Sequence, residues 1–142
     1  MSNKIYPKAY ERAMKGGLDL LNANVKCIAV DTAAYTYSDA HEFLSSVAGG
    51  AIIATSGNMA NKTVATVTTD DVRFDCDDFN FTFTAAQPTV EALIYYVDTG
   101  SSATSYLLCY KDTSASLPLT PPPGGGTVPN TVSANGVMEW RN

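Results

Sequence analysis

The chain has 142 residues, which is enough for one domain, and its nine basic and fourteen acidic residues give a formal net charge of −5 at pH 7. A surface with so few basic groups is not expected to bind nucleic acid, whose phosphates require a basic face. No apolar run approaches the length of a transmembrane helix and no signal peptide is present, so we expect no membrane partner and synthesis in the cytoplasm.

The first fifteen residues differ in charge from the rest of the chain. They hold one acidic residue, Glu11, and four basic ones that bring the segment to +3: Lys4, Lys8, Arg12 and Lys15. Apolar residues at helical spacing predict a short helix over Pro7–Lys15, which Gly16-Gly17 ends. We therefore expect a basic N-terminal arm with a short helix at residues 1–22, either reaching for an acidic protein surface or simply solvated, and a β-sandwich domain at residues 23–142.

Short apolar stretches separated by turn residues predict strands through the rest of the chain. The stretch Thr89–Val97 is apolar on both faces, and Asp98-Thr99-Gly100-Ser101 turns it into Thr104–Tyr110 as a hairpin. The other strands are predicted at Val25–Asp31, Ala51–Thr55, Lys62–Thr68, Thr127–Val132 and Gly136–Trp140. Seven to nine such strands predict a mainly β fold, an antiparallel β-sandwich or jelly roll with a short N-terminal helix or arm. A partly open β-barrel is the alternative.

The segment Val72–Phe83 changes face within one apolar run. Even positions from 72 to 76 are apolar, whereas Phe79, Phe81 and Phe83 occupy odd positions. Because a one-residue slip inverts every side chain of a strand, the change requires a bulge or a corner. We place that break at Asp77-Asp78, where the chain would pass from one sheet to another.

The residues that commonly carry catalysis are few. His41 is the only histidine, and the three cysteines, Cys27, Cys76 and Cys109, form no CxxC pair and lie in apolar stretches typical of the core. No nucleophile elbow or phosphate-binding glycine loop occurs. We therefore expect no enzyme activity, no catalytic residues, no cofactor and no metal.

One acidic cluster admits two interpretations. It comprises Asp70, Asp71, Asp75, Asp77 and Asp78. Converging carboxylates would suit calcium, but the spacing does not match a calcium-binding loop. A solvated sheet edge that discourages aggregation is the favoured interpretation.

Aromatic and basic side chains are the candidates for a protein interface. Tyrosine and tryptophan bury large areas with few rotatable bonds, and they are common where proteins meet. Four tyrosines, Tyr95, Tyr96, Tyr106 and Tyr110, are expected to pack within the hairpin instead. The interface candidates are Lys4, Tyr6, Lys8, Tyr10, Arg12, Lys15, Tyr35, Tyr37 and Trp140.

A series of short motifs runs in order along nearly the whole chain. The most specific portion is the hairpin, Val90–Gly100 followed by Ser105–Asp112. The weaker pieces are Tyr10 and Gly17 in the helical start, Val25–Asp31, Glu42-Phe43-Leu44, Ala54-Thr55-Ser56, Lys62-Thr63-Val64, Asp71-Val72-Arg73-Phe74, Leu117-Pro118-Leu119 and a terminal strand with Trp140. In this order the motifs resemble a family of small virion proteins of tailed bacteriophages.

That resemblance implies a capsid decoration or cement protein. Its partners would be the major capsid protein and other copies of itself, as a dimer or trimer, on the exterior of the capsid after synthesis in the bacterial cytoplasm. The family has no catalytic residues that could be assigned to positions of this chain. This chain departs from it in the insertion Pro121–Gly126, whose conformation and contacts the resemblance does not give.

A second hypothesis is a phage tail module that binds a receptor or carbohydrate on the same type of sandwich. Tyr35, Tyr37 and the loop Pro121–Gly126 would then line a shallow sugar site. Copy number distinguishes the two, because a cement protein is present in many copies per particle and a tail module in few.

Overall fold

The computed structural model describes residues 3–141, which form a mainly β fold with antiparallel sheets and a short helix near the N-terminus, as predicted. The helix α1 covers Pro7–Met14, and two short 3-10 helices cover Leu44–Ser46 and Gly49–Ala51. Within residues 3–141 no helix is long and apolar enough to span a bilayer. The strands are β1 (Lys4–Ile5), β2 (Val25–Val30), β3 (Ile52–Thr55), β4 (Thr63–Thr66), β5 (Val72–Asp75), β6 (Phe79–Phe83), β7 (Ala92–Val97), β8 (Tyr106–Lys111), β9 (Gly126–Asn130) and β10 (Met138–Trp140).

The largest sheet has five strands in the order β1-β8-β7-β2-β3. Strands β2 and β7 lie inside it, and all six residues of β7, which was predicted to be apolar on both faces, are buried. The predicted hairpin is confirmed, since β7 pairs antiparallel with β8 from Leu93 opposite Lys111 to Val97 opposite Tyr106. Apolar side chains on both faces of these strands reflect a sheet that is covered on both sides.

Aromatic side chains cover the two faces of this sheet. On one face Tyr110 packs against Tyr37, with ring centroids 5.3 Å apart. On the other face Tyr95 meets Phe79 of β6 edge to face at 6.0 Å, and β6 pairs with β9 in a two-stranded sheet. The resulting arrangement is sandwich-like and is not a closed barrel.

The predicted break after β5 is present. β5 ends at Asp75 and belongs to a three-stranded sheet of order β10-β5-β4, whereas β6 begins at Phe79 and belongs to the two-stranded sheet. At the corner the Asp78 carboxylate accepts a hydrogen bond from the Val132 amide at 2.8 Å. The change of face in the sequence therefore marks the passage between two sheets.

Residues 4–14 are not a protruding arm, contrary to the expectation for the N-terminus. β1 pairs with β8, and the Tyr6 amide donates to the Leu108 carbonyl at 3.0 Å. Tyr6 is fully buried and Ala9 is nearly so. Because β1 completes the edge of the five-stranded sheet and α1 packs on β8, this segment is part of the folded body.

Candidate functional site

The three-stranded sheet has one apolar face and one polar face. In an antiparallel sheet, residues directly opposite one another point to the same side. The register places Phe74 opposite both Val64 and Met138, and Val72 opposite both Thr66 and Trp140. The intervening residues Thr63, Ala65, Arg73, Asp75 and Glu139 point to the other side.

An apolar cleft of about 220 Å³ lies between this apolar face and helix α1. Phe74 is buried in its wall, whereas three side chains remain about half exposed: Val64 at 45%, Val72 at 41% and Trp140 at 46%. The helix and the loop after it contribute Ala9, Tyr10, Ala13, Leu18 and Leu20, while Ile5 and Met138 complete the lining. We refer to this set as the apolar cleft.

Two of the predicted interface residues meet in the apolar cleft. The rings of Tyr10 and Trp140 are in edge-to-face contact, with centroids 4.8 Å apart and planes at 85°. Met14 lies one helical turn beyond Tyr10 and is 77% exposed. A tryptophan held against a tyrosine at the mouth of an apolar cleft is already ordered, so burying it against a partner costs little side-chain entropy.

The basic residues of α1, and Lys15 directly after it, form ion pairs within the chain. Lys8 and Lys15 donate to the Glu11 carboxylate at 2.8 and 2.5 Å, and these hydrogen bonds lower the pKa of Glu11 to about 2. Arg12 pairs with Glu42 at 3.2 Å and lies 4.1 Å over the ring of Tyr106. Exposed Lys4 lies 5.0 Å from the ring centroid of Tyr37. The ion pairs of Lys8, Arg12 and Lys15 with Glu11 and Glu42 therefore leave a net charge of only +1 beside the cleft.

The structure buries Tyr6, Tyr35 and Tyr37, which we expected to be exposed at an interface. They are 0%, 5% and 9% exposed. The Tyr6 and Tyr35 hydroxyls are 2.9 Å apart, the Tyr35 hydroxyl is 2.8 Å from His41 Nδ1, and the Tyr37 hydroxyl donates to Asp39 at 2.7 Å. Because internal partners satisfy every hydroxyl, these rings pack in the core and offer no surface to a partner.

The three cysteines are buried, as predicted. Burial raises the pKa of Cys76 to about 12 and that of Cys109 to about 11, and it raises the pKa of the Cys27 thiol as well. All three thiols are therefore protonated at neutral pH. His41 is engaged through Nδ1 with Tyr35.

The acidic cluster is spread along the β4–β5 hairpin and the corner after it. The Asp77 carboxylate accepts from the Asn61 side chain at 2.6 Å, and that of Asp75 accepts from the Cys76 amide at 2.8 Å. Within residues 3–141 no three or more histidine, cysteine, aspartate or glutamate residues converge as metal ligands would. These carboxylates shape turns and leave the hairpin with a negative edge.

A second concavity, of about 650 Å³, lies beside the loop of residues 130–137. Its lining is mixed, and Lys111 Nζ donates to the Gly136 carbonyl there at 3.0 Å. Asn130 is 2% exposed and its Oδ1 has no hydrogen-bond partner among the described residues. Buried polar groups of this kind are ordinarily satisfied by water. The apolar cleft is the better candidate for a binding site, because contact between apolar surface and water is unfavourable and a partner would remove it.

Sequence reasoning placed Tyr10 and Trp140 at an interface but missed the other residues of the cleft. Val64 and Val72 alternate with polar residues in short strands, a pattern that equally predicts an ordinary core face. Only the register of β4, β5 and β10 shows that their apolar face is half covered. The alternation of apolar and polar residues in these three strands was the only indication of the cleft in the sequence.

Comparison with known proteins assigns no family. No family model matches the chain, and no curated protein matches its sequence significantly. The function is therefore inferred from the geometry of the apolar cleft, together with the resemblance carried by the motifs of the sequence.

Proposed function

We propose that this protein is a structural component of the virion of a tailed bacteriophage, a capsid decoration or cement protein that binds the major capsid protein through the apolar cleft. The observation that carries the proposal is the half-exposed set Val64, Val72 and Trp140 around a cleft with an apolar lining. Contiguous exposed apolar surface of this kind is typical of protein interfaces. The assignment to a virion rests on the sequence resemblance.

Burial of the cleft would supply the binding free energy. Apolar burial contributes roughly 25 cal/mol per Å² before the costs of association. Trp140 is the natural anchor, because tryptophans that fill a desolvated centre dominate many interfaces. A shell carries many copies of its decoration protein, so modest affinity per copy is sufficient, and contacts between neighbouring copies as dimers or trimers would add avidity.

In this proposal α1 acts as a wall of the cleft and not as a reaching arm. Tyr10 supports Trp140, and Lys8 and Lys15 share the single Glu11 carboxylate, which leaves this trio with a charge of +1. A partner that enters the cleft therefore meets an apolar floor beside a helix whose net positive charge is small. The expected binding is driven mainly by apolar burial and depends only weakly on attraction to the helix.

Trp140→Ala tests the proposal with purified heads that lack the protein. We expect this variant to bind about 30-fold more weakly than wild type, the loss typical of truncating an interface tryptophan. Leu21→Ala is the matched control, because Leu21 is 51% exposed and lies outside the lining of the cleft. Equal binding by wild type and Trp140→Ala, with both folded by urea titration, would contradict the proposal. So would absence of the chain from purified particles.

The alternative of a sugar-binding tail module has less support. Tyr35 and Tyr37, which would have stacked on a sugar, are 5% and 9% exposed. The loop Pro121–Gly126 would therefore lack the two exposed tyrosines that this hypothesis requires. Counting copies of the chain per particle separates the two hypotheses, since only a decoration protein is expected in tens to hundreds of copies.

A further inference from the structure

Strand β4 is an open edge of the three-stranded sheet. It pairs with β5 on one side and with no strand among residues 3–141 on the other, and all four of its residues are exposed. The hydrogen bond from the Val67 amide to the Asp71 carbonyl, at 2.9 Å, fixes the phase of the β4–β5 ladder. Because hydrogen-bonded and non-hydrogen-bonded pairs alternate, Val64 and Thr66 direct their N–H and C=O groups to the open side. Four backbone groups thus face outward.

This edge lacks the usual protection against strand pairing. Exposed edges are commonly guarded by lysine, proline or a bulge. The sequence of β4 is Thr-Val-Ala-Thr, and its register with β5 runs unbroken over four pairs. Lys62, which precedes the strand, is turned inward, where its Nζ donates to the Ala23 carbonyl. The edge is therefore free to accept another strand.

The edge and the apolar cleft belong to one surface. Val64 and Thr66 point their side chains to the apolar face of the sheet, and Val64 lines the cleft. A strand added beside β4 would extend that face, and its alternate residues would point to the side on which Val64 and Trp140 are exposed. The added strand must therefore have apolar residues at every second position.

The charge of the β4–β5 hairpin determines which kind of strand could pair with β4. Residues 61–78 contain five aspartates against Lys62 and Arg73, a net charge of −3. Asp70 and Asp71 lie in the turn, whereas Asp75 and Asp77 lie at the opposite end. If two copies paired antiparallel through β4, the acidic turn of one would face the acidic end of the other. Like charges therefore disfavour a second copy, and a strand with lysine or arginine at its ends is complementary.

We propose that β4 binds an extended segment of the partner by strand addition, and that this segment has alternating apolar residues flanked by basic residues. The inference rests on the proposed function in taking the segment to be part of the major capsid protein. The outward amides of Val64 and Thr66 and the carboxylates of Asp70 and Asp71 recognise it, while its apolar side chains extend the cleft.

Thr66→Pro tests strand addition, because it removes an outward N–H that takes no part in the β4–β5 ladder. Thr66→Ala is the matched control, since it loses the side chain and keeps the amide. With undecorated heads as the probe, we expect Thr66→Pro to bind at least about tenfold more weakly than Thr66→Ala, the loss of one or two backbone hydrogen bonds. Asp70→Asn combined with Asp71→Asn is expected to weaken binding and to reduce its dependence on salt.

Amide hydrogen exchange gives a second measurement that does not depend on the proline variant folding. Binding of wild-type protein to heads is expected to protect the Val64 and Thr66 amides. If wild type binds and Trp140→Ala weakens binding, but those two amides gain no protection, strand addition is overturned and the proposed function stands. Protection that appears without heads as protein concentration rises would identify a second copy as the occupant and overturn the inference. Failure of wild type to bind heads would overturn the proposed function itself.

Discussion

Tyr6 provides the sharpest test of whether the N-terminal segment belongs to the folded body. The side chain is fully buried, its ring centroid lies 5.0 Å from that of Tyr37, and its hydroxyl is 2.9 Å from that of Tyr35. Tyr6→Phe removes one buried hydrogen bond while Tyr35 retains His41 as a partner, so no hydroxyl is orphaned. We expect a loss of about 0.5–1.5 kcal/mol in the free energy of unfolding. Tyr6→Ala also leaves a cavity, and truncations of buried aromatic residues cost about 3–5 kcal/mol.

Urea titration of wild type and variants measures these losses. Tyr106→Phe is the matched control, because the Tyr106 ring is half-buried beneath Arg12 and its hydroxyl has no hydrogen-bond partner among the described residues. It is expected to change stability by less than about 0.5 kcal/mol. If Tyr6→Ala unfolds within that same margin of wild type, the segment is a detachable arm and the docking of α1 described above is wrong.

Two further predictions concern a tight turn and a charged pair. Gly136 has a φ of +73°, and a Cβ there would lie 2.6 Å from the Phe74 carbonyl oxygen. Gly136→Ala should therefore lower stability by about 1–3 kcal/mol more than Gly100→Ala in thermal denaturation, the usual cost of overpacking, since Gly100 has a φ of +92° but open space around it. The hydrogen bond from Lys26, 2.6 Å from Asp98, lowers the pKa of that carboxyl, so its stabilisation is present above the unfolded pKa of about 4 and is lost as pH falls through the lower folded value. Asp98→Asn is expected to be less stable than wild type at pH 7, with a gap that narrows below about pH 4; a gap constant with pH would refute the assignment.

The elements with strong hydrophobic patterns were predictable from the sequence. The β7–β8 hairpin, the central strand β2, the helix and the corner at Asp77-Asp78 follow from spacing and turn residues, because each signal lies in one short continuous stretch of the chain. β1 has two residues, too few to show alternation. Its pairing with β8 depends on residues about a hundred positions away.

The candidate site was less predictable than the fold, for two physical reasons. Tyrosine is amphipathic, so composition does not distinguish Tyr35, which finds hydroxyl partners inside the fold, from Tyr10, which lines a cleft. The cleft itself joins α1, β5 and β10, which are far apart in sequence. Each of these elements looks ordinary alone, and only their pairing leaves an apolar face half covered.

The two sheets differ in burial, and this difference explains how a half-covered apolar face is compatible with a stable fold. The five-stranded sheet is buried on both faces and holds most of the core, so folding does not require the smaller sheet to be sealed. Opposite that smaller sheet the helix places Ala9 and Ala13, whose short side chains leave the cleft open beside Trp140. In the proposed function, stability and binding would therefore reside in different layers. Changes at Tyr6 should act on unfolding, whereas changes at Trp140 should act on the proposed association, because only a partner could bury the exposed half of its ring.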